Sequence, residues 1–278
     1  MNLFDEISMK CSKITTHSYS TSFTLGILSL QKKYRNPIYA IYGFVRFADE
    51  IVDTFHTHNK QLLLTEFTAE TYKAIEQKIS LNPILNSFQI AVNNYGIDKE
   101  LIDSFLHSMQ MDLMPEKTYD KQKYNEYILG SAEVVGLMCL RVFCEGNNNE
   151  YEKLKPLAMK LGSAFQKINF LRDLKADYFT LGRSYFPEFD INKFDENTKQ
   201  KIEADIAIDF AEGYKGIQQL PRGCRLGVYV AYIYYFSLFN KIKKHSPNYI
   251  LHNRVRISDA KKYYLIVVSF VKHSLNLL

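Results

Sequence analysis

Two stretches of the chain gather oxygen-bearing side chains at spacings that could do chemistry. In "FADEIVD" (47–53), Asp49 and Asp53 stand four apart inside an otherwise apolar run. On a helix that spacing puts both on one face, one turn above the other. Further on, Gln166, Asn169, Asp173 and Asp177 follow at intervals of three, four and four, a polar stripe about three turns long. Phe165, Ile168, Phe170, Leu171 and Leu174 lie between them and turn away from the stripe. A solvated face mixes Lys, Glu and Gln, whereas short aspartates and amides hold hard oxygens close to the helix axis. Such oxygens suit Mg²⁺, which takes one or two carboxylates and fills its shell with phosphate oxygens and water. Two facing acidic helices repel each other when empty, so they imply several divalent ions and an anion to bridge them. Carboxylates alone would repel a diphosphate, and the ions reverse the sign of the site. Arg46, Arg172 and Arg183 lie nearby, with the fork geometry that suits phosphate.

Plainer readings stand beside these. Arg46 and Asp49 can form an i, i+3 ion pair on a solvated acidic turn, the second stripe can be a polar seam in a helix bundle, and each arginine can pair with the same aspartates. Glu50 lies about 100° around the helix from Asp49, outside the paired face.

The elements that must carry these residues are helices. Asn36-Pro37 reads as an N-cap followed by Pro at the first helical position, opening a helix to about Phe55. Helical periodicity continues over 60–80, 83–95 and 98–113, then from about Asp120 to Cys144, where "EGNNN" marks a turn. A helix from near Glu150 to about Thr180 stops at Gly182, and others occupy 197–217, 221–244 and 258–275. No strand alternation, internal repeat or low-complexity linker is visible. The expected fold is all-α: one domain, residues 1–278, around a central apolar cavity.

Composition narrows the partners. With 278 residues, 46% of them apolar, the chain can build a large core, and a net charge of +5 without a long basic run argues against nucleic acid. Four cysteines without a CxxC pair fit reduced thiols. The N-terminus shows no signal peptide, and neither 226–239 nor the C-terminal apolar stretch reaches the ~20 residues of a bilayer span. The 20 Tyr and 19 Phe supply core packing or the lining of a large apolar pocket. If ions grip a diphosphate, ionising its bond to an apolar group leaves an allylic cation, which a dry aromatic pocket protects and ring faces stabilise.

Four segments carry a family likeness. "SYSTSF" (18–23), "RFADEIVD" (46–53), "YILGSAEVVG" (127–136) and "LGSAFQKINFLRDLKADYFTLGRSYFP" (161–187) resemble the phytoene/squalene synthases, in order and spacing, and the similarity runs on to "NRVRISDAKK" (253–262). The second acidic block, closed by "GRSYFP", is the most specific part. The resemblance implies the isoprenoid-synthase helical bundle and a Mg²⁺-dependent transferase, with Mn²⁺ as a substitute, that joins two prenyl diphosphates head to head through a cyclopropyl diphosphate. Carried over by position, Asp49, Asp53, Asn169, Asp173 and Asp177 hold metal. Ser20, Ser22, Arg46, Gln166, Arg172 and Arg183 meet the diphosphates, while Phe23, Tyr42, Tyr127, Tyr185 and Tyr235 line the reacting ends. Three positions depart from the family pattern: Glu50 where Asp is common, Ala176 where Glu is common, and Ser108 where Gly precedes the equivalent of Asp112. The first two imply altered ion placement, and Asp112 reads as a structural polar group.

Within that family the expected reaction is phytoene synthesis from two geranylgeranyl diphosphates, the first committed step of carotenoid biosynthesis, without NADPH. A squalene or dehydrosqualene synthase using farnesyl diphosphate is the near alternative. A catalytically silent prenyl-lipid-binding or assembly protein and a class I terpene cyclase are alternatives of other kinds. The four aspartates speak against the silent protein, "SYSTSF" and "GRSYFP" against the cyclase. A hydrocarbon product implies a cytoplasmic protein peripheral at the inner membrane surface, with the cavity mouth or Lys241–Lys244 toward lipid, and a downstream desaturase as possible partner.

Overall fold

The computed structural model describes residues 2–113, 119–179, 185–187 and 194–278, with the backbone alone for 176–179. Among these residues there are helices and no strands. In chain order they are α1 (Leu3–Tyr19), α2 (Thr21–Leu28), α3 (Lys32–Asp53), α4 (Lys60–Gln77), α5 (Pro83–Tyr95), α6 (Lys99–Asp112) and α7 (Lys121–Ile128), then a π turn (Leu129–Glu133) leading straight into α8 (Val134–Cys144). The rest are α9 (Asn148–Phe179), α10 (Glu196–Gln219), α11 (Arg222–Ile242), α12 (Pro247–His252) and α13 (Asp259–Ser274).

Most expected helices are present within a few residues, and α5 shows why: Asn82 caps Ile84 and Leu85 with its side chain and Pro83 opens the first turn. The Asn36-Pro37 cap is not used. Helix α3 begins five residues earlier, at Lys32, and carries Pro37 inside, giving up one backbone bond there. Tertiary contacts override the cap signal: Tyr34, 2% exposed, meets Phe143 edge-on at 5.7 Å, and the Gln31 N–H bonds Gly223 O at 2.9 Å. Helices α1, α2 and α12 were not marked by periodicity. The stop expected at Gly182 lies outside the described residues.

Two apolar centres hold the bundle. One is an aromatic stack around Phe44, with Phe88 at 3.9 Å and Phe67 at 5.6 Å, joining α3, α4 and α5. The other surrounds Phe210 of α10, which meets Tyr232 and Phe239 of α11. Helix α9 runs between them and is anchored to α10 by Asp209, 1% exposed, which accepts from Lys160 at 2.9 Å, Ser163 at 2.7 Å and Lys167 at 2.6 Å. Burial alone favours the neutral acid, but these donors hold the Asp209 carboxyl below its ordinary range.

Helix α9 also presses on the π turn. A Cβ on Gly162 would sit 2.9 Å from Ala132 O, closer than real contacts allow. The continuous stretch Lys121–Cys144 is long and apolar enough to cross a bilayer, a property the sequence reading had not noted there. However, 56% of its apolar window is buried inside the bundle, and its π turn and α8 form part of the wall of the central cavity.

Candidate active site

A cavity of about 430 Å³ opens between the two apolar centres. Its lining follows the helices in a graded order. Along α3 it passes from Ile38 and Ile41 through Tyr42 and Val45 to Arg46 and Asp49; along α9 it passes from Leu154 and Leu157 through Leu161 and Phe165 to Gln166 and Asn169. Phe23 of α2 brings the polar ends together, lying 5.6 Å from Tyr42 and 6.3 Å from Tyr235 of α11, and Tyr235 stacks on Phe165 at 4.2 Å. The site is therefore charged and aromatic at one end, with walls of about 16–22 Å in all, of which about 10–16 Å are apolar, at 1.5 Å of rise per residue. It is shaped for an amphiphile with an anionic head.

At the polar end, the Arg46 guanidinium makes its tightest contact with Glu50, one turn on, while Asp49 lies 4.0 Å away and the Tyr19 ring 4.4 Å away. The i, i+3 pair of Arg46 with Asp49 is thus the looser contact. Glu50 stands off the Asp49–Asp53 face but is i+4 from Arg46, and its longer side chain closes the gap. Arg46 Nε is buried without a hydrogen-bond partner. Asp49 keeps 31% of its side-chain surface open, yet that surface faces a recess and not bulk water. Burial, with Asp53 adding repulsion, pushes its carboxyl up to about 7. Burial also pushes the Tyr42 hydroxyl up to about 12 and raises that of Tyr235, so both remain neutral donors near neutrality.

On α9, Asp173 is held by two arginines. Arg172 Nε donates to it at 3.0 Å, and Arg254 reaches it with Nε at 2.7 Å and a second nitrogen at 3.2 Å. Sequence reasoning named Arg172 and missed Arg254, which lies inside "NRVRISDAKK" but 81 residues from Asp173, beyond any periodic argument. Phe165, which the stripe argument turned away, lines the cavity, as its i+4 relation to Asn169 requires.

The remaining candidates fall in three places. Ser20 is the N-cap of α2, accepting from Phe23 N at 3.2 Å, and Ser22 is half-buried beside it. Tyr127 and Tyr185 are absent from the cavity lining and converge on buried Asp112, donating at 2.7 and 3.2 Å. Asp112 thus acts as a structural acceptor for two tyrosines, and its charge also reaches Asp49. Asp53 is exposed at the end of α3. The Asp177 side chain and all of Arg183 lie outside the described residues.

Among the described residues, no three acidic, histidine or cysteine side chains converge as a metal site. The donor set nonetheless fits a divalent cation. Asn169 Oδ1 is buried without a hydrogen-bond partner, and Asp49 carries the repulsion of a neighbouring aspartate, a combination that a hard cation would relieve.

The sequence model of squalene/phytoene synthase matches residues 16–261. The chain belongs to the squalene/phytoene synthase family. Its relatives include a 4,4'-diapophytoene synthase of Staphylococcus haemolyticus, 26% identical over 75% of this chain and 72% of that protein. A 15-cis-phytoene synthase of Synechococcus elongatus is 24% identical over 95% of this chain and 92% of its own length. The fold agrees with that of a dehydrosqualene synthase crystallised with a ligand, at TM-score 0.83 and 20% identity, with 96% of each chain covered. A squalene synthase from Alicyclobacillus acidocaldarius superposes at TM-score 0.76 and 18% identity, over 88% of this chain and 96% of that one. The chain has the all-α isoprenoid-synthase fold, as the sequence implied. Squalene/phytoene synthases are prenyltransferases that condense prenyl diphosphates head to head, and this chain is an enzyme of that class. They generally depend on a divalent metal.

Proposed function

We propose that this squalene/phytoene synthase condenses two geranylgeranyl diphosphates to phytoene, that residues 1–278 form one domain, and that Mg²⁺ is its metal. The observation that carries the reading is the graded cavity, with Arg46, Asp49 and Asn169 at one end and long apolar walls along α3 and α9. Relatives named as phytoene synthases support the C20 substrate. The diapophytoene synthase relative keeps the C15 substrate as the second reading.

In this reading Asp49, Asp53, Asn169, Asp173 and Asp177 hold the metal. When bound, Mg²⁺ neutralises the diphosphate and makes it a better leaving group. Arg46 and Arg172 grip phosphate oxygens, a task suited to their forked donors. Gln166 adds an amide donor on the same α9 face. Phe23, Phe165, Tyr42 and Tyr235 close over the reacting carbons, exclude water and offer ring faces to an allylic cation. Arg254 competes with the metal for Asp173 and so belongs to the same electrostatic balance. No reductant has a role in this scheme.

In this reading the enzyme is cytoplasmic and peripheral at the inner membrane surface, where a hydrocarbon product can pass to a downstream desaturase. The test of chain length is direct: purified protein with Mg²⁺ and either C20 or C15 diphosphate, with and without NADPH, and the hydrocarbon weighed by mass spectrometry. A C40 product from the C20 substrate without NADPH is expected. Product from C15 alone would overturn the chain-length assignment and leave the family chemistry standing.

A further inference from the structure

Helix α13 has an inner face, on which Leu265 and Ile266 are half-buried, and an outer apolar face. One packs on α11, with Ser269 fully buried and Lys262 set over the Tyr234 ring at 5.7 Å. The other carries Tyr263, Tyr264, Val267, Phe270 and Val271, each between 49% and 66% exposed, and Leu275 continues the line past the helix end. Their spacing, i, i+3 or i+4, i+7, makes a single outward stripe along the whole helix. A stripe of large apolar side chains on that scale marks an interaction surface, since isolated exposed apolar residues need no partner but contiguous ones do.

Charge selects the partner. Lys261 and Lys272 are exposed and stand eleven residues apart, so they fall on one line along a border of the stripe. Arg256, just before the helix, is also exposed. The one acidic residue of α13, Asp259, is paired with Lys262 at 2.9 Å. A second copy of the chain seated on this face would bring like-charged rims together, which costs free energy. An anionic lipid surface meets the same rim with the opposite sign and receives the apolar stripe, the pattern of a helix lying in the bilayer interface.

The inner face of α13 lies behind the cavity wall: Tyr234, under Lys262, is 5.6 Å from Tyr235, which lines the cavity. The basic cluster expected to face lipid is partly committed elsewhere, because Lys241 donates to Arg256 O at 2.7 Å. We propose that the outward stripe of α13, bordered by Lys261 and Lys272, is the surface by which the protein docks on anionic membranes. The proposal rests on the reading of a hydrocarbon-producing, membrane-peripheral enzyme and names the part of the chain that makes the contact.

The test is flotation of the full chain with vesicles of phosphatidylcholine alone, or of phosphatidylcholine and phosphatidylglycerol in equal parts. Wild type is expected to float with the anionic vesicles only. Val267→Glu with Phe270→Glu, both outward-facing, lowers the bound fraction by about tenfold and leaves turnover in detergent unchanged. Lys261→Glu with Lys272→Glu removes the preference for anionic lipid, and Lys241→Ala with Lys244→Ala has little effect. If the α13 variant floats like wild type, the docking surface lies elsewhere and this inference fails, while the membrane reading stands. If wild type floats with neither vesicle, both fail. Dimerisation in sedimentation, abolished by the α13 pair and without vesicle binding, would give the face to a second copy and overturn the proposal.

Discussion

Glu50→Gln isolates the contact that sequence reasoning set aside. In the folded chain Glu50 fixes the Arg46 guanidinium from one turn away, with side chains 14% and 26% exposed. Tyr19 supplies a second hold at 4.4 Å, which the substitution leaves in place. With only a neutral amide acceptor left at residue 50, Arg46 is held less firmly and must be ordered again when a diphosphate binds. Ordering one rotamer-rich side chain costs about 0.5–1.5 kcal/mol, and at about 1 kcal/mol the apparent affinity falls about fivefold. Arg46 is proposed to grip the diphosphate and not the reacting carbons, so the loss is expected chiefly in KM. Glu50→Asp keeps the charge but shortens the reach, and recovers part of the loss. Steady-state kinetics with the prenyl diphosphate varied, and a circular dichroism melt to confirm the fold, make the comparison. An unchanged or lower KM in Glu50→Gln would show that Glu50 competes for Arg46 rather than positioning it, and would refute the reasoning.

Other outcomes follow from the same geometry. Asp49→Asn and Asp173→Asn each abolish metal-dependent turnover with the helical spectrum unchanged, and full activity in either removes that residue from the metal set. Asp209→Ala leaves Lys160 and Lys167 facing the α9–α10 seam; because Lys167 keeps Asp205 at 2.5 Å, the loss sits at the lower end, about 3 kcal/mol, read as a fall in Tm. Glu133, in the π turn, has its carboxyl pushed up to about 7 from an ordinary 4.5, first by burial and then by Asp209, against Lys160 and Lys167. The folded state therefore holds this proton more tightly than the unfolded chain, and stability falls as pH rises from about 4.5 through 7. Glu133→Gln removes that penalty, up to about 3 kcal/mol, so its Tm should exceed wild type near pH 8 and match it near pH 4.5.

The acidic helices were legible because helix spacing alone puts Asp49 beside Asp53 and lines up Gln166, Asn169 and Asp173. Apolar periodicity likewise located α5 and α9 to within a few residues. What spacing could not carry was anything joining distant segments. Arg254 reaches Asp173 across 81 residues, and Tyr127 and Tyr185 meet on Asp112 by way of α6. The start of α3 was misplaced because Tyr34 gains a tertiary partner that local capping cannot foresee. The Arg46–Glu50 contact was missed for a smaller reason: Glu50 was measured against Asp49 and not against Arg46.

The account stands most directly on the stoichiometry of the reaction. Purified protein is supplied with a prenyl diphosphate and Mg²⁺, and inorganic diphosphate is counted against the organic product. Two diphosphates are expected for each hydrocarbon holding two prenyl chains, with both lost on chelation of the metal. One diphosphate released per prenyl alcohol, with no coupled product, would contradict it.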